Sequence, residues 1–191
     1  MSLTSFHQEL SASLLQAGLL EKSAPLIPPQ FTPATRLDVS FDSKAVHLGN
    51  VFRARECKLP PVVSFGPEEH APSRHYTLLL VDPDAPTPED PKFAYWRHWV
   101  VSGLQPSPAD NKSSTVLTEY LGPGPKDESN PHRYLFLLFR EPTAFAPRKE
   151  DVGGEEFVQR RSFPAAKWVE EHGLELVAVN WMQGVGDGWS G

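Results

Sequence analysis

The chain has 191 residues, 39% of them hydrophobic, enough for one domain with a substantial core, and its 20 prolines favour short strands and shaped loops over a helical bundle. A formal charge of −6 with scattered basic residues gives no electrostatic footprint for nucleic acid, so neither DNA nor RNA is expected as a partner. Cys57 is the single cysteine, which excludes an internal disulfide, and the opening segment shows no signal-peptide pattern and no transmembrane-length apolar run, so a cytoplasmic location is expected.

Phe6, Leu10, Leu14 and Ala17 recur at helical spacing, Ser5 and Gln8 have the spacing of a capping box, and Gly18 supplies a stop. An amphipathic helix of about four turns is predicted, either laid on the domain as an accessory or serving as a partner-binding arm. Residues 24–33 read as a proline-punctuated linker. Alternation over Arg36–Phe41 marks a strand, and further strands are predicted at 62–65, 76–81, 99–102, 134–139 and 175–182. Their irregular, loop-rich separations favour antiparallel pairing in a β-sandwich. Pro164 to His172, closed by Gly173, reads as a short helix with Trp168 and Val169 inward. Residues 107–114 and 146–156 read as solvated polar loops. This gives a helix and linker over 1–30, a β-sandwich domain over 31–183 and a flexible tail over 184–191.

The chemistry-bearing residues gather at strand ends. Asp82 and Asp84 are two apart, so an extended backbone would aim both carboxylates the same way where the 76–81 strand leaves the core. Pro83 and Pro86 stiffen that exit, and the Ala85–Pro86 bond is a place where a cis peptide can be selected. Read blandly, Asp-Pro-Asp is turn chemistry. His98, between Arg97 and Trp99, reads by itself as a structural histidine; His132, which follows a Gly/Pro loop and opens the strongest strand, shifts that balance. If the two strands are neighbours, four ionisable groups converge. Two Asp and two His also suit a divalent metal and hence a metal-dependent hydrolase, but no usual zinc spacing such as H-E-x-x-H is present. Cys57 lies outside the constellation, and the terminal "GDGWSG" has neither the strand-turn-helix frame of a nucleophile elbow nor a following helix to receive a dinucleotide. No cofactor is implied.

"DPDAPTPEDPKFAYWRHWVV" and "GPGPKDESNPHRYLFLLF" resemble the two signature segments of the phosphatidylethanolamine-binding protein family. "LLQAGLLEKS", "YLGPGP", "PHRYLFLLFREP" and "KWVEEHGLELVAVNWM" are most similar to its fungal, carboxypeptidase-inhibiting branch, so the resemblance runs from the N-terminal helix to Met182. It implies a mainly β fold, a Greek-key β-sandwich with a few peripheral helices. It also implies a pocket for phosphate-type anions and phospholipid head groups built from Asp82, Asp84, Pro86, Trp96, His98, Gly122, Gly124, His132 and Tyr134. Three departures bear on loop shape and head-group preference: Phe93 where a tyrosine is common, Asn130 where a glycine is usual, and "GPGPK" in place of Gly-Pro-Pro. The implied function is binding and regulation without catalysis, as inhibitor of a serine carboxypeptidase of the vacuolar type, with Met1 to Phe6 and a second surface as contact candidates. The alternative within the family is a lipid sensor or kinase scaffold. For an anion beside two carboxylates, protonated His98 or His132 would have to donate the charged hydrogen bonds, and binding would then weaken as pH rises.

Overall fold

Several strands carry apolar runs that do not alternate with polar residues, and the computed structural model, which describes residues 3–22, 26–69, 74–106 and 114–191, shows why. Two sheets are formed. Strands β1 (Leu37–Phe41), β2 (Lys44–Ala45) and β4 (Val62–Phe65) make a three-stranded sheet in the order β2-β1-β4, while β3 (Val51–Arg53) belongs to the other. That larger sheet adds β5 (Tyr76–Asp82), β6 (Trp96–Leu104), β7 (Thr115–Thr118), β8 (His132–Arg140) and β9 (Glu175–Val185), in the order β3-β9-β8-β5-β6-β7.

The six-stranded sheet is the middle layer. Along β5, Leu78 and Leu80 face the small sheet's Leu37, Val39 and Phe65, whereas Leu79 and Val81 join the opposite core. The same alternation splits β8, with Tyr134, Phe136 and Leu138 on one side and Leu135, Leu137 and Phe139 on the other. Since successive side chains of a strand point to opposite faces, a sheet covered on both faces favours apolar residues at consecutive positions.

The second cover is helical. Helix α1 (Leu3–Gln16) inserts Phe6, Leu10 and Leu14 into the core formed with Leu79, Val81, Leu135 and Trp181, and the Trp181 indole donates to Ser13 Oγ at 3.2 Å. A short α2 (Leu19–Lys22) follows, and α3 (Ala165–Glu171) packs Trp168 on the same side, with Val169 partly buried against it.

Several expectations shift. Ser5 lies inside α1 and so cannot be its N-cap, but Gly18, at φ +64, takes the left-handed conformation that ends a helix. Leu26 and Ile27, in the segment read as linker, are buried in the helical core. The boundary expected at 183 falls inside β9, and the tail beyond is tied down: Arg53 Nη1 donates to the carbonyls of Gly186, Asp187 and Trp189, and Gly188 N–H donates to Asp127. Pairing is antiparallel except between β3 and β9, which run parallel. The polar loop over 107–113 lies outside the described residues.

Because α1 supplies three buried side chains to one core, truncating one of them should be costly. Leu10→Ala is expected to lower unfolding stability by about 2–5 kcal/mol, read from urea denaturation.

Candidate ligand-binding site

At one end of β5, β6 and β8, on the face toward the small sheet, lies an open cavity of about 330 Å³. Asp82, Pro86, Trp96, His98, Gly122, Gly124, His132 and Tyr134 all line it, so eight of the nine residues singled out in the sequence meet around one hollow. Sheet order explains the convergence: β5 sits between β6 and β8, with Asp82 paired to Trp96 on one side and Val81 to Leu135 on the other.

Asp84 is the exception. Strand β5 ends at Asp82, so the two-residue period that would aim both carboxylates alike no longer applies. The chain turns, Asp84 N–H donates back to Asp82 Oδ1 at 2.7 Å, and the Asp84 side chain points away, fully buried. There it meets Arg133: the Arg133 backbone N–H and Nε donate to Asp84 Oδ2 at 2.8 and 2.7 Å, and Nη2 donates to Oδ1. Arg133 Nη1 also donates to Ala17 O, at the end of α1. The ion pair holds the arginine charged, with its pKa raised chiefly by the hydrogen bonds to Asp84. The Ala85–Pro86 bond is cis, as the sequence allowed, and Ala94–Tyr95 is cis as well.

The two histidines are wired differently. His132 Nδ1 donates to Asp82 Oδ2 at 2.8 Å and its Nε2 lies 3.1 Å from Ser129 Oγ, so both ring nitrogens are engaged within the protein. His98 exchanges two bonds with Leu121: its Nδ1–H donates to the carbonyl at 2.6 Å, and Leu121 N–H returns to His98 O at 2.9 Å. A carbonyl only accepts, so Nδ1 keeps its proton and Nε2 is the acceptor nitrogen of the neutral ring. Burial pulls the His98 pKa below its ordinary value, outweighing the upward push of Asp82. The expectation that imidazolium donors meet an anion here is therefore corrected. His98 is biased toward the neutral form, and the nitrogens of His132 are already committed.

Gly122 has a steric cause. A Cβ there would sit 2.3 Å from the Cys57 carbonyl oxygen, the same atom that accepts the Tyr120 hydroxyl at 2.7 Å, so the loop reaches its place only without a side chain. Asn130, where a glycine was expected, donates to Glu89 and joins the two signature loops.

Some lining residues escaped the sequence reading: Ala85, Leu121, Pro125, Lys126 and Phe157. Phe157 stands just past an acidic loop and is 61% exposed, yet its ring lies 4.6 Å from that of Trp96. It is held there by Arg160, which donates to the carbonyls of Glu155, Glu119 and, at 3.2 Å, His98. The available signal was a Phe-Val pair opening directly out of a charged run. Among the described residues, no group of three or more His, Cys, Asp or Glu side chains is placed to hold a metal ion, and no helix is long and apolar enough to cross a membrane.

A family model for phosphatidylethanolamine-binding proteins matches residues 33–182, well over half of the sequence. The chain belongs to that family. It is 28% identical over 215 aligned positions to the carboxypeptidase Y inhibitor of Saccharomyces cerevisiae, covering 92% of this chain and 94% of that protein. Among solved structures, the carboxypeptidase Y inhibitor complexed with its cognate proteinase is similar with a TM-score of 0.81 at 26% identity, over 95% of this chain and 97% of that one. A phosphatidylethanolamine-binding protein from Plasmodium vivax shares the fold, with a TM-score of 0.73 at 23% identity over 93% of this chain and 97% of that one.

Two measurements check this wiring. Asp84→Ala strands a largely buried guanidinium, and unfolding stability should fall by roughly 3–5 kcal/mol in urea titrations. A histidine with a depressed pKa binds fewer protons folded than unfolded, so its contribution to stability is present above the ordinary value of ~6.5 and is lost as pH falls through it. Between about pH 7.5 and about pH 5, stability should therefore drop more steeply for the wild type than for His98→Gln, the comparison being the difference between the two pH curves.

Proposed function

We propose that this chain is a non-catalytic regulatory protein, an inhibitor of a serine carboxypeptidase that also carries a pocket for a phosphate or phospholipid head group. The observation behind the first part is relatedness along nearly the whole length to the carboxypeptidase Y inhibitor, both in sequence and in the structure of that protein with its proteinase. Helix α1 is packed onto the sheet through Phe6, Leu10 and Leu14 and leaves Leu3 and Thr4 outward. Exposed residues at the start of a packed helix suit contact with an enzyme, because little conformational freedom is then lost on binding.

The second part is supported by the cavity, which mixes acceptors on Asp82 and His98 with an aromatic wall and a Gly/Pro lip. A neutral imidazole and a carboxylate suit a hydrogen-bond donor such as an ammonium group, so a zwitterionic head group fits this chemistry better than a polyanion does. The inhibitor and the pocket are separable activities in this reading.

Carboxypeptidase Y provides the direct assay. Full-length protein should inhibit it, and removing Met1 to Thr4, which leaves Phe6 in the core, should reduce inhibition by at least about tenfold, the worth of one or two well-buried contacts. Phosphoethanolamine binding should survive that truncation. Absence of inhibition by the full-length, folded protein would overturn the carboxypeptidase assignment and leave the lipid-sensing branch of the family.

A further inference from the structure

The terminal "GDGWSG" is a motif that neither the cavity nor the inhibitor reading uses, and its first two glycines close on Asp127. Residues 186–189 form a turn, with Trp189 N–H donating to Gly186 O at 3.3 Å, and Gly188 N–H donates to Asp127 Oδ1 at 2.9 Å. A Cβ on Gly186 would lie 2.7 Å from both N and Cα of Asp127, and one on Gly188 would lie 2.6 Å from its Oδ2. Neither glycine takes the left-handed φ that would by itself call for glycine, so it is the close approach of Asp127 that a side chain would forbid. The turn is also pinned to the chain around β3. Arg53 Nη1 donates to the carbonyls of Gly186, Asp187 and Trp189 at 3.2, 2.9 and 3.1 Å, and Arg55 N–H donates to Asp187 Oδ1 at 2.8 Å.

Asp127 stands at one end of the Gly/Pro lip. Gly122, Gly124, Pro125 and Lys126 of that lip line the cavity, and Lys126 O accepts Ser129 N–H at 3.1 Å across the turn that contains Asp127. At the other end Gly122 rests on the carbonyl oxygen of Cys57, in the short helical turn Ala54–Cys57 that follows Arg53. Both ends of the lip are thus seated on residues 53–57, Gly122 directly and Asp127 through the 186–189 turn. Between those ends, no hydrogen bond joins Pro123, Gly124 or Pro125 to another described residue. Past Asp127 the next ties are Ser129 to His132 and Asn130 to Glu89, so Asp127 is the support nearest to Pro125 and Lys126 on that side. A span held at its ends keeps its place only while both supports hold; the two proline rings fix φ within it but anchor it to nothing.

We propose that Asp127 is a positioning residue for the cavity: clasped by Gly186 and Gly188, it holds the Pro125–Lys126 side of the lip where that side completes the cavity wall. The inference rests on the head-group reading above and adds to it a control from outside the cavity, since neither Asp127 nor any of residues 186–189 lines it. When the lip spends part of its time out of place, the apparent affinity for an occupant falls in proportion to the fraction of time that the wall is complete.

The test uses the full-length protein in two measurements, amide hydrogen exchange and titration with phosphoethanolamine. Asp127→Ala removes the clasp from the lip side, and Gly188→Ala removes it from the tail side, where the added methyl displaces the carboxylate. Each should speed exchange at the Ser129 amide and weaken phosphoethanolamine binding, both at least about threefold, the loss expected for one hydrogen bond to an exposed carboxylate. Asp127→Asn, whose amide oxygen still accepts the Gly188 N–H, should stay close to the wild type. Asp127 and Gly188 are exposed, so the variants are expected to fold, with urea unfolding as the check. Binding that persists unchanged in folded Asp127→Ala and Gly188→Ala would overturn the proposal, even with faster exchange in the tail, because the contact would then only tether the tail. Absence of phosphoethanolamine binding by the wild type would overturn the head-group reading instead. In that case faster exchange at Ser129 in both variants would still support Asp127 as the residue that positions the lip, and unchanged exchange would overturn that as well.

Discussion

The pairing of Asp84 with Arg133 is the contact on which the site's geometry depends. A carboxylate with no exposure to water is tolerable only if its charge and lone pairs are met, and Arg133 meets them with its backbone N–H, Nε and Nη2. In doing so it draws three distant pieces of chain together: the turn after β5, the start of β8 and, through Ala17 O, the end of α1. Strand alternation does the rest. With Arg133 directed to the helical side, its neighbours His132 and Tyr134 are turned to the other face, where they line the cavity. One aspartate of the Asp-Pro-Asp segment thus builds the scaffold, and the other faces the hollow.

Much of this was legible in the sequence, for identifiable reasons. Strands β5, β8 and β9 announced themselves because each is buried on both faces, which leaves apolar residues at consecutive positions; α3 did so through its proline start and glycine stop. Convergence of Asp82, His98 and His132 followed from their shared place at strand ends. The misses are equally physical. Strands β2 and β3 have two and three residues, too short to show a period, and β3 owes its state to a parallel pairing with β9 that no local pattern encodes. The orientation of Asp84 depends on β5 stopping at Asp82, and strand ends are set by tertiary partners. Protonation was the least readable of all. A histidine in the sequence says nothing of how dry its surroundings are, and for His98 burial outweighs the neighbouring carboxylate.

The cavity also shows how a wall can be assembled from parts distant in the chain. Phe157 comes from a surface segment with little apolar content, and it reaches Trp96 because Arg160, itself buried, bonds to the carbonyls of Glu155, Glu119 and His98. A guanidinium offers five N–H groups in one plane, so a single side chain can stitch a loop to a strand where a shorter polar residue would reach only one of them.

Cys57 lies beneath this arrangement. Its carbonyl receives the Tyr120 hydroxyl and sits against Gly122, while its thiol is sealed from solvent, with burial pushing its pKa up to about 12. As the chain's lone sulfhydryl, buried in the core between the sheets, it is shielded from alkylating reagents for as long as that core stays closed. The protein therefore contains its own reporter: the rate at which that sulfur becomes modified measures how often the core around it opens, with no label added.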